Sequence, residues 1–158
     1  AETDGAHLGI KMEDAESHAL TCTPDLYHVD PCYVEVKFDS RTPVMATKEN
    51  CQDAAEKTAH AHGFEFETPG MIPPHRVAAD SAFVQKLLHA YEHVTGLKGE
   101  AMAIGGGTYV HDIKNGVAFG AVLPGIDTHM HGADEFFDLE NIVLATKVYA
   151  EAIIELCS

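Results

Sequence analysis

The chain has 158 residues, 46% of them hydrophobic, with 25 acidic against 10 basic residues and a formal net charge of −15. That length fits one domain or two small ones, and the acidic excess repels phosphate backbones, which argues against nucleic acid and favours cationic partners or divalent metals. No apolar run approaches the ~20 residues of a membrane-spanning helix, and no basic segment followed by an apolar stretch opens the chain.

The first residue is Ala1, as expected of a chain processed, trimmed or cut from a longer one. Cys22, Cys32, Cys51 and Cys157 show no CxxC or zinc-finger spacing. Reduced cytoplasmic thiols are expected rather than a disulfide framework. Of the eleven histidines, isolated ones such as His7, His18, His28 and His75 read as surface or packing residues.

In chain order, HLGIKMED and HALTCTPD within the first thirty residues each predict a short strand. YVEVKFD at 33–39 alternates polar Glu35, Lys37 and Asp39 with apolar Val34, Val36 and Phe38, a period of two that predicts a strand with one buried face. From Thr47, a capping residue, to about His62 the composition is helical, and Gly63 ends it. FEFET at 64–68 alternates again, so strand, helix and strand predict a βαβ-like unit.

Three prolines in PGMIPPHR at 69–76 then mark a crossing between two structural units. Asp80 or Ser81 caps a helix whose apolar stripe includes Phe83, Val84, Leu87 and Leu88, and Gly96 stops it. EAMAIGGGTYVHD predicts a short strand running into three glycines. NGVAFGAVLPG at 115–125 predicts a second buried strand, entered by Asn-Gly and left by Pro-Gly. A helix from about Leu139 to Leu156 closes the chain, with Ile142, Val143, Val148, Ala152 and Ile153 on its expected inward face. Ligands in open α/β sheets gather at the carboxyl ends of strands, which directs attention to the loops 105–112 and 125–137.

Several residues in those loops could carry chemistry. In IDTHMHGADEFF, His129 and His131 stand among Asp127, Asp134 and Glu135, the nitrogen and oxygen donors that zinc prefers. Histidines two apart diverge on an extended chain, so at most one faces a site unless the loop bends. Gly105, Gly106 and Gly107 expose backbone amides to a ligand or simply make a tight turn. Their spacing is neither GxGxxG nor a P-loop. Arg41, directly after the 33–39 strand, offers a two-pronged donor for a carboxylate or pairs with one of the many surface acids; the residues alone favour the second. GxSxG is missing, and no cysteine stands in a loop beside a promising base.

Taken together, AIGGGTY, NGVAFG, the Pro-Gly turn, H-x-x-x-E at His131 to Glu135, the closing LATKVYAEAIIEL and the earlier VEVKFDSRTP resemble the C-terminal region of the di-zinc exopeptidases. This family includes carnosinases and bacterial Xaa-His or broad-specificity dipeptidases. The resemblance runs from about residue 5 to the end. It implies an α/β fold: an α+β lid-type βαβ unit at 1–70, part of a lid or dimerisation domain, followed at 71–158 by the C-terminal part of a zinc-exopeptidase catalytic domain.

The resemblance also implies roles. His131 falls at a zinc ligand and Glu135 behind it as an orienting residue. Arg41 falls at the grip on the substrate's terminal carboxylate, and Gly105 and Gly106 in the loop that meets the substrate. His111 stands where the family commonly has arginine, GGTYVH in place of GGTYAR, and HGADE replaces HQ-x-N-E. The family's H-x-D, bridging Asp, Glu-Glu pair and lid histidine have no counterpart here. Zn²⁺, two ions per site in the intact family, is the implied cofactor, bound weakly at most by these residues alone. The expectation is part of a metal-dependent dipeptidase of the cytoplasm, acting on dipeptides with a free C-terminal carboxylate and inactive by itself. Homodimerisation or association with an N-terminal half is expected, as is no membrane partner. The alternatives are a self-associating lid-type module without catalysis, and one half of a two-chain peptidase.

Overall fold

The computed structural model describes residues 2–105, 107–120 and 122–158. It has the expected mix of helices and strands, although its sheets are small and antiparallel. Contacts divide it into two compact units, Ala1–Arg76 with Ala103–Gly107, and Val77–Met102 with Thr108–Ser158.

The first unit opens with a 3-10 turn at Ala6–Leu8 and a minimal hairpin of β1 (Glu13–Asp14) and β2 (His18–Ala19). The Asp14 carboxylate organises this hairpin. It accepts from the Ser17 amide at 2.6 Å, the Ser17 hydroxyl at 2.8 Å, the Glu16 amide at 3.0 Å and the Met45 amide at 3.3 Å. These donors, the Ser17 amide foremost, hold its carboxyl below the ordinary 3.8. A carboxylate depressed on folding contributes stability that is complete above its unfolded pKa and is lost as pH falls through the lowered folded value. Asp14→Asn is therefore expected to flatten the acid limb of stability against pH, read by urea melts from about pH 6 down to about pH 2. A limb as steep as that of the parent would count against this role.

β3 (Thr21–Val29) and β4 (Val34–Arg41) form the larger antiparallel ribbon, in register from Thr21 opposite Arg41 to Val29 opposite Val34. Its one irregularity falls between Pro24 and Leu26, where proline offers no amide to the ladder. Alternation located β4 correctly but not its burial: Val34 and Phe38, expected inside, are each about half exposed. Only two strands pair here, and no further layer covers that face among the described residues.

Thr47 then caps a π-helical turn, Lys48–Gln52, through a reciprocal box with Asn50. That turn leads into α1 (Asp53–Ala61). The strand expected at 64–68 does not form, because no neighbouring strand offers it a ladder, so the unit is not a βαβ. Instead Phe66 packs on the core of Ile10, Leu20, Cys22, Ala46, Cys51 and Ala55.

All four cysteines are free, Cys22 and Cys51 buried and Cys32 and Cys157 exposed. Burial pushes the Cys51 thiol up, and the thiolate is the reactive form. A thiol reagent at pH 8 is expected to label Cys32 and Cys157 rapidly, and Cys22 and Cys51 only after denaturant is added. Four fast thiols in native buffer would contradict this core.

In the second unit, Ser81 caps α2 (Ala82–Thr95) by accepting from the Val84 amide, and Gly96 ends it at φ 69°. α3 (Leu139–Cys157) starts at Asp138, whose carboxylate accepts from the Asn141 amide. Its packing on α2 buries Leu87, Ala90 and Ala152, with Val117 and Phe119 against them. Glu155 meets His89 while Glu151 meets His93, so the two helices run antiparallel.

The strands expected in EAMAIGGGTYVHD and at 115–125 are not formed among the described residues. A buried strand needs neighbouring strands for its amides and carbonyls, and among the described residues no strand lies beside these segments. The inward face expected of α3 is likewise only partly covered: Val148 and Ala152 are buried, but Ile142, Val143 and Ile153 are exposed. The accessible surface of 11409 Å² compares with about 9,400 Å² for two separate globules of half the mass.

Candidate functional site

Arg41 ends β4, and Asp39, two residues earlier, projects from the same face of the strand. The guanidinium accordingly donates from Nη2 to Asp39 Oδ2 at 2.8 Å, with both side chains nearly half exposed. An exposed pair of this kind contributes roughly 0.2–1 kcal/mol, and one partner leaves most of the five guanidinium donors uncommitted. The sequence reading missed Asp39, although the i, i+2 spacing on a strand was available to find it.

Gly105 lies directly against that arginine in the same unit. A Cβ built on Gly105 would stand 3.4 Å from Arg41 Cβ and 3.6 Å from its Cγ. The space that a side chain on Gly105 would occupy thus faces the arginine stem, a juxtaposition of two candidate residues 64 positions apart. Gly106, the third candidate for substrate contact, lies outside the described residues.

His111 belongs to the second unit, in the 3-10 turn Tyr109–Asp112. Its Nδ1 is 3.3 Å from the Thr108 amide and 3.0 Å from the Thr108 carbonyl oxygen, so the ring helps shape the turn that follows the glycines.

The loop 125–137 is also in the second unit. The Ile126 amide bonds to the Leu123 carbonyl at 3.3 Å around Pro124 and Gly125, which has φ 82° as a type II turn requires. Asp127 then accepts from the His129 amide at 2.9 Å, and the Gly132 amide closes on the His129 carbonyl at 2.7 Å. A Cβ on Gly132 would come within 2.9 Å of that carbonyl oxygen, so the turn demands glycine. Buried Thr128 pins the loop, its carbonyl accepting from the Phe136 amide at 3.0 Å.

The two histidines are not equivalent within this bend. His129 stacks edge-on against Phe136, ring centroids 5.5 Å apart at 88°. Nothing in the sequence pointed to that contact. Strain does not separate them: His129 at φ 54°, His131 at φ 62° and Asp134 at φ 56° all adopt left-handed conformations that few non-glycine residues adopt. Strain of this kind costs on the order of 1–3 kcal/mol per residue and concentrates at functional sites. His131 and Glu135 are both exposed.

Among the described residues, no three His, Cys, Asp or Glu side chains come together as the ligands of a metal ion. The residues present therefore do not by themselves fit a two-metal centre. His131 presents an exposed imidazole on a turn that His129 shares.

The sequence profile of peptidase family M20/M25/M40 matches residues 3–155. "Putative dipeptidase YtjP" of Bacillus subtilis is 35% identical over 156 residues, covering 98% of this chain and 33% of that protein. Proteins described as dipeptidases in the same words match from Staphylococcus haemolyticus and Staphylococcus aureus. The first is 41% identical over 101 residues, 64% of this chain and 22% of its own length. The second is 38% identical over 109 residues, 69% of this chain and 23% of its own length. The chain thus spans about a third or less of the relatives it matches.

Proposed function

The chain belongs to peptidase family M20/M25/M40, whose members are generally metal-dependent, and we propose that each of its two units supplies residues to a zinc dipeptidase. The observation that supports this reading is the juxtaposition of Arg41 and Gly105. A cation able to grip a carboxylate stands beside a residue without a side chain, which suits a short peptide with a free C-terminus. Arg41 takes the terminal carboxylate in two-pronged fashion, the Gly105 backbone borders the peptide, and His111 shapes the turn that follows. His131 offers its imidazole as one zinc ligand, with Glu135 orienting the loop behind it.

A complete hydrolytic centre needs further ligands and a general base. The reading is therefore of a chain that does not turn over dipeptides unaided. Purified and supplied with Zn²⁺ or Mn²⁺, it is expected to leave a panel of dipeptides intact, as followed by release of free amino acids. Robust, metal-dependent release would contradict the proposal. The reduced state of the thiols fits a cytoplasmic setting.

A second reading is favoured by the β3–β4 ribbon. Tyr27 and Val29 are exposed on a two-stranded sheet, and unpaired edges with apolar side chains invite pairing. In this reading the chain self-associates through the ribbon, as homodimer or with a catalytic partner chain. Light scattering that stays monomeric across concentrations would argue against it.

A further inference from the structure

We propose that the open edge of β4 pairs with β4 of a second copy of this chain, antiparallel and with Phe38 opposite Phe38, which joins two ribbons into one four-stranded sheet. The inference rests on the second reading above, self-association through the ribbon, and adds the partner, the edge and the register. Among the described residues no strand lies along that edge of β4, and an open edge is a template for another strand.

Backbone direction decides which groups the edge offers. At the hairpin end the Asp30 amide donates to the Tyr33 carbonyl at 2.9 Å. Antiparallel ladders alternate from there, so Glu35, Lys37, Asp39 and Arg41 turn their amides and carbonyls towards β3. Val34, Val36, Phe38 and Ser40 turn theirs outwards. Pro24, which has no amide to give, stands opposite Phe38 in agreement with this alternation. A second strand can therefore bond only where outward-turned residues meet outward-turned residues, as Phe38 on Phe38 and Val36 on Ser40 do.

The charges then select the register. One face of β4 carries Glu35, Lys37, Asp39 and Arg41, alternating in sign. Within one copy they pair along the strand, Lys37 Nζ 3.5 Å from Glu35 Oε1 and Arg41 Nη2 2.8 Å from Asp39 Oδ2, and all four side chains are about a third or more exposed. With Phe38 on Phe38, Glu35 faces Arg41 of the second copy and Lys37 faces its Asp39, so by symmetry every facing pair has opposite charge. These pairs fall between the ladder bonds, where facing side chains come closest. Sliding the second copy by two residues sets Lys37 on Lys37 and Glu35 on Asp39, or Asp39 on Asp39 and Lys37 on Arg41. Sliding it by one sets outward groups against inward ones. On the other face the half-exposed Phe38 side chains of the two copies cover each other. Glu35 of the second copy meets Arg41 where the peptidase reading puts a ligand carboxylate, so self-association and substrate compete for one guanidinium.

The test is sedimentation equilibrium of the full chain from micromolar to millimolar concentration, with a reductant to keep exposed Cys32 and Cys157 from cross-linking. A monomer–dimer equilibrium is expected. Lys37→Glu and Asp39→Lys, made separately, each set like charges face to face and should raise the dimer Kd by about tenfold or more. Mixing the two variants restores opposite charges across the edge, so a heterodimer of about the parental affinity should form. Circular dichroism would verify that each variant keeps the parental fold. A dimer indifferent to both substitutions, or a mixture no tighter than its components, would overturn this register and leave the ribbon reading standing. A chain that stays monomeric at every concentration would overturn both.

Discussion

In an active enzyme that contains this chain, His131→Ala is expected to lower kcat/KM for dipeptides by about 10³ or more. Removing one oxyanion donor from a hydrolase costs roughly 10²–10³ in kcat, and a metal ligand supports at least as much. Zinc content by elemental analysis should fall together with activity. His129→Ala in the same loop is the control. Its ring is committed to Phe136 at 5.5 Å, so its loss should change turnover by less than about fivefold, within what a single packing contact of ~1 kcal/mol explains. If His129→Ala abolished activity and His131→Ala did not, the assignment of the two histidines would be reversed.

Arg41→Ala is expected to raise KM for a dipeptide by about 10- to 150-fold, from the loss of roughly 1.5–3 kcal/mol of charge-assisted hydrogen bonding. The discriminating comparison is a dipeptide against its C-terminal amide. Neutralising the carboxylate removes what the guanidinium recognises, so the amide should be a poor substrate for the parent and no poorer for Arg41→Ala. Arg41→Lys keeps the charge but not the fork, and should recover only part of the loss. Equal damage to both substrates would mean that Arg41 supports β4 through Asp39 instead.

The helices were legible from local chemistry alone. Thr47 and Ser81, both among the expected caps, open two of them, and Gly63 and Gly96 follow their ends, each in a left-handed conformation, whereas the Asp138 cap of α3 was not singled out in the sequence. A cap is satisfied by residues three or four positions away, so it can be read without knowing the rest of the fold. Strands are different. Residues 33–39 announced β4 by alternation, but FEFET and NGVAFGAVL, of the same apolar character, form no ladder among the described residues. Their periodicity specifies a face, and only a neighbouring strand can turn that face into a ladder.

For the site, the residues and their order carried the family, because glycines after an apolar segment and H-x-x-x-E on a loop survive in one sequence. What the sequence could not carry was proximity over long separation. Arg41 with Gly105, His129 with Phe136, and His89 and His93 with α3 all depend on tertiary packing. The Asp39 pairing was within reach, being local to one strand. α3 shows the same division: its periodic apolar face is obvious in sequence, yet only Val148 and Ala152 of that face are buried.

The most direct measurement joins this chain to the part of the Bacillus relative that it does not cover, and follows metal-dependent hydrolysis of a dipeptide by the joined protein beside the chain alone. The account predicts turnover by the joined protein, lost on His131→Ala, and none by the chain alone. Turnover by the chain alone, or a folded joined protein whose hydrolysis is indifferent to His131, would contradict it.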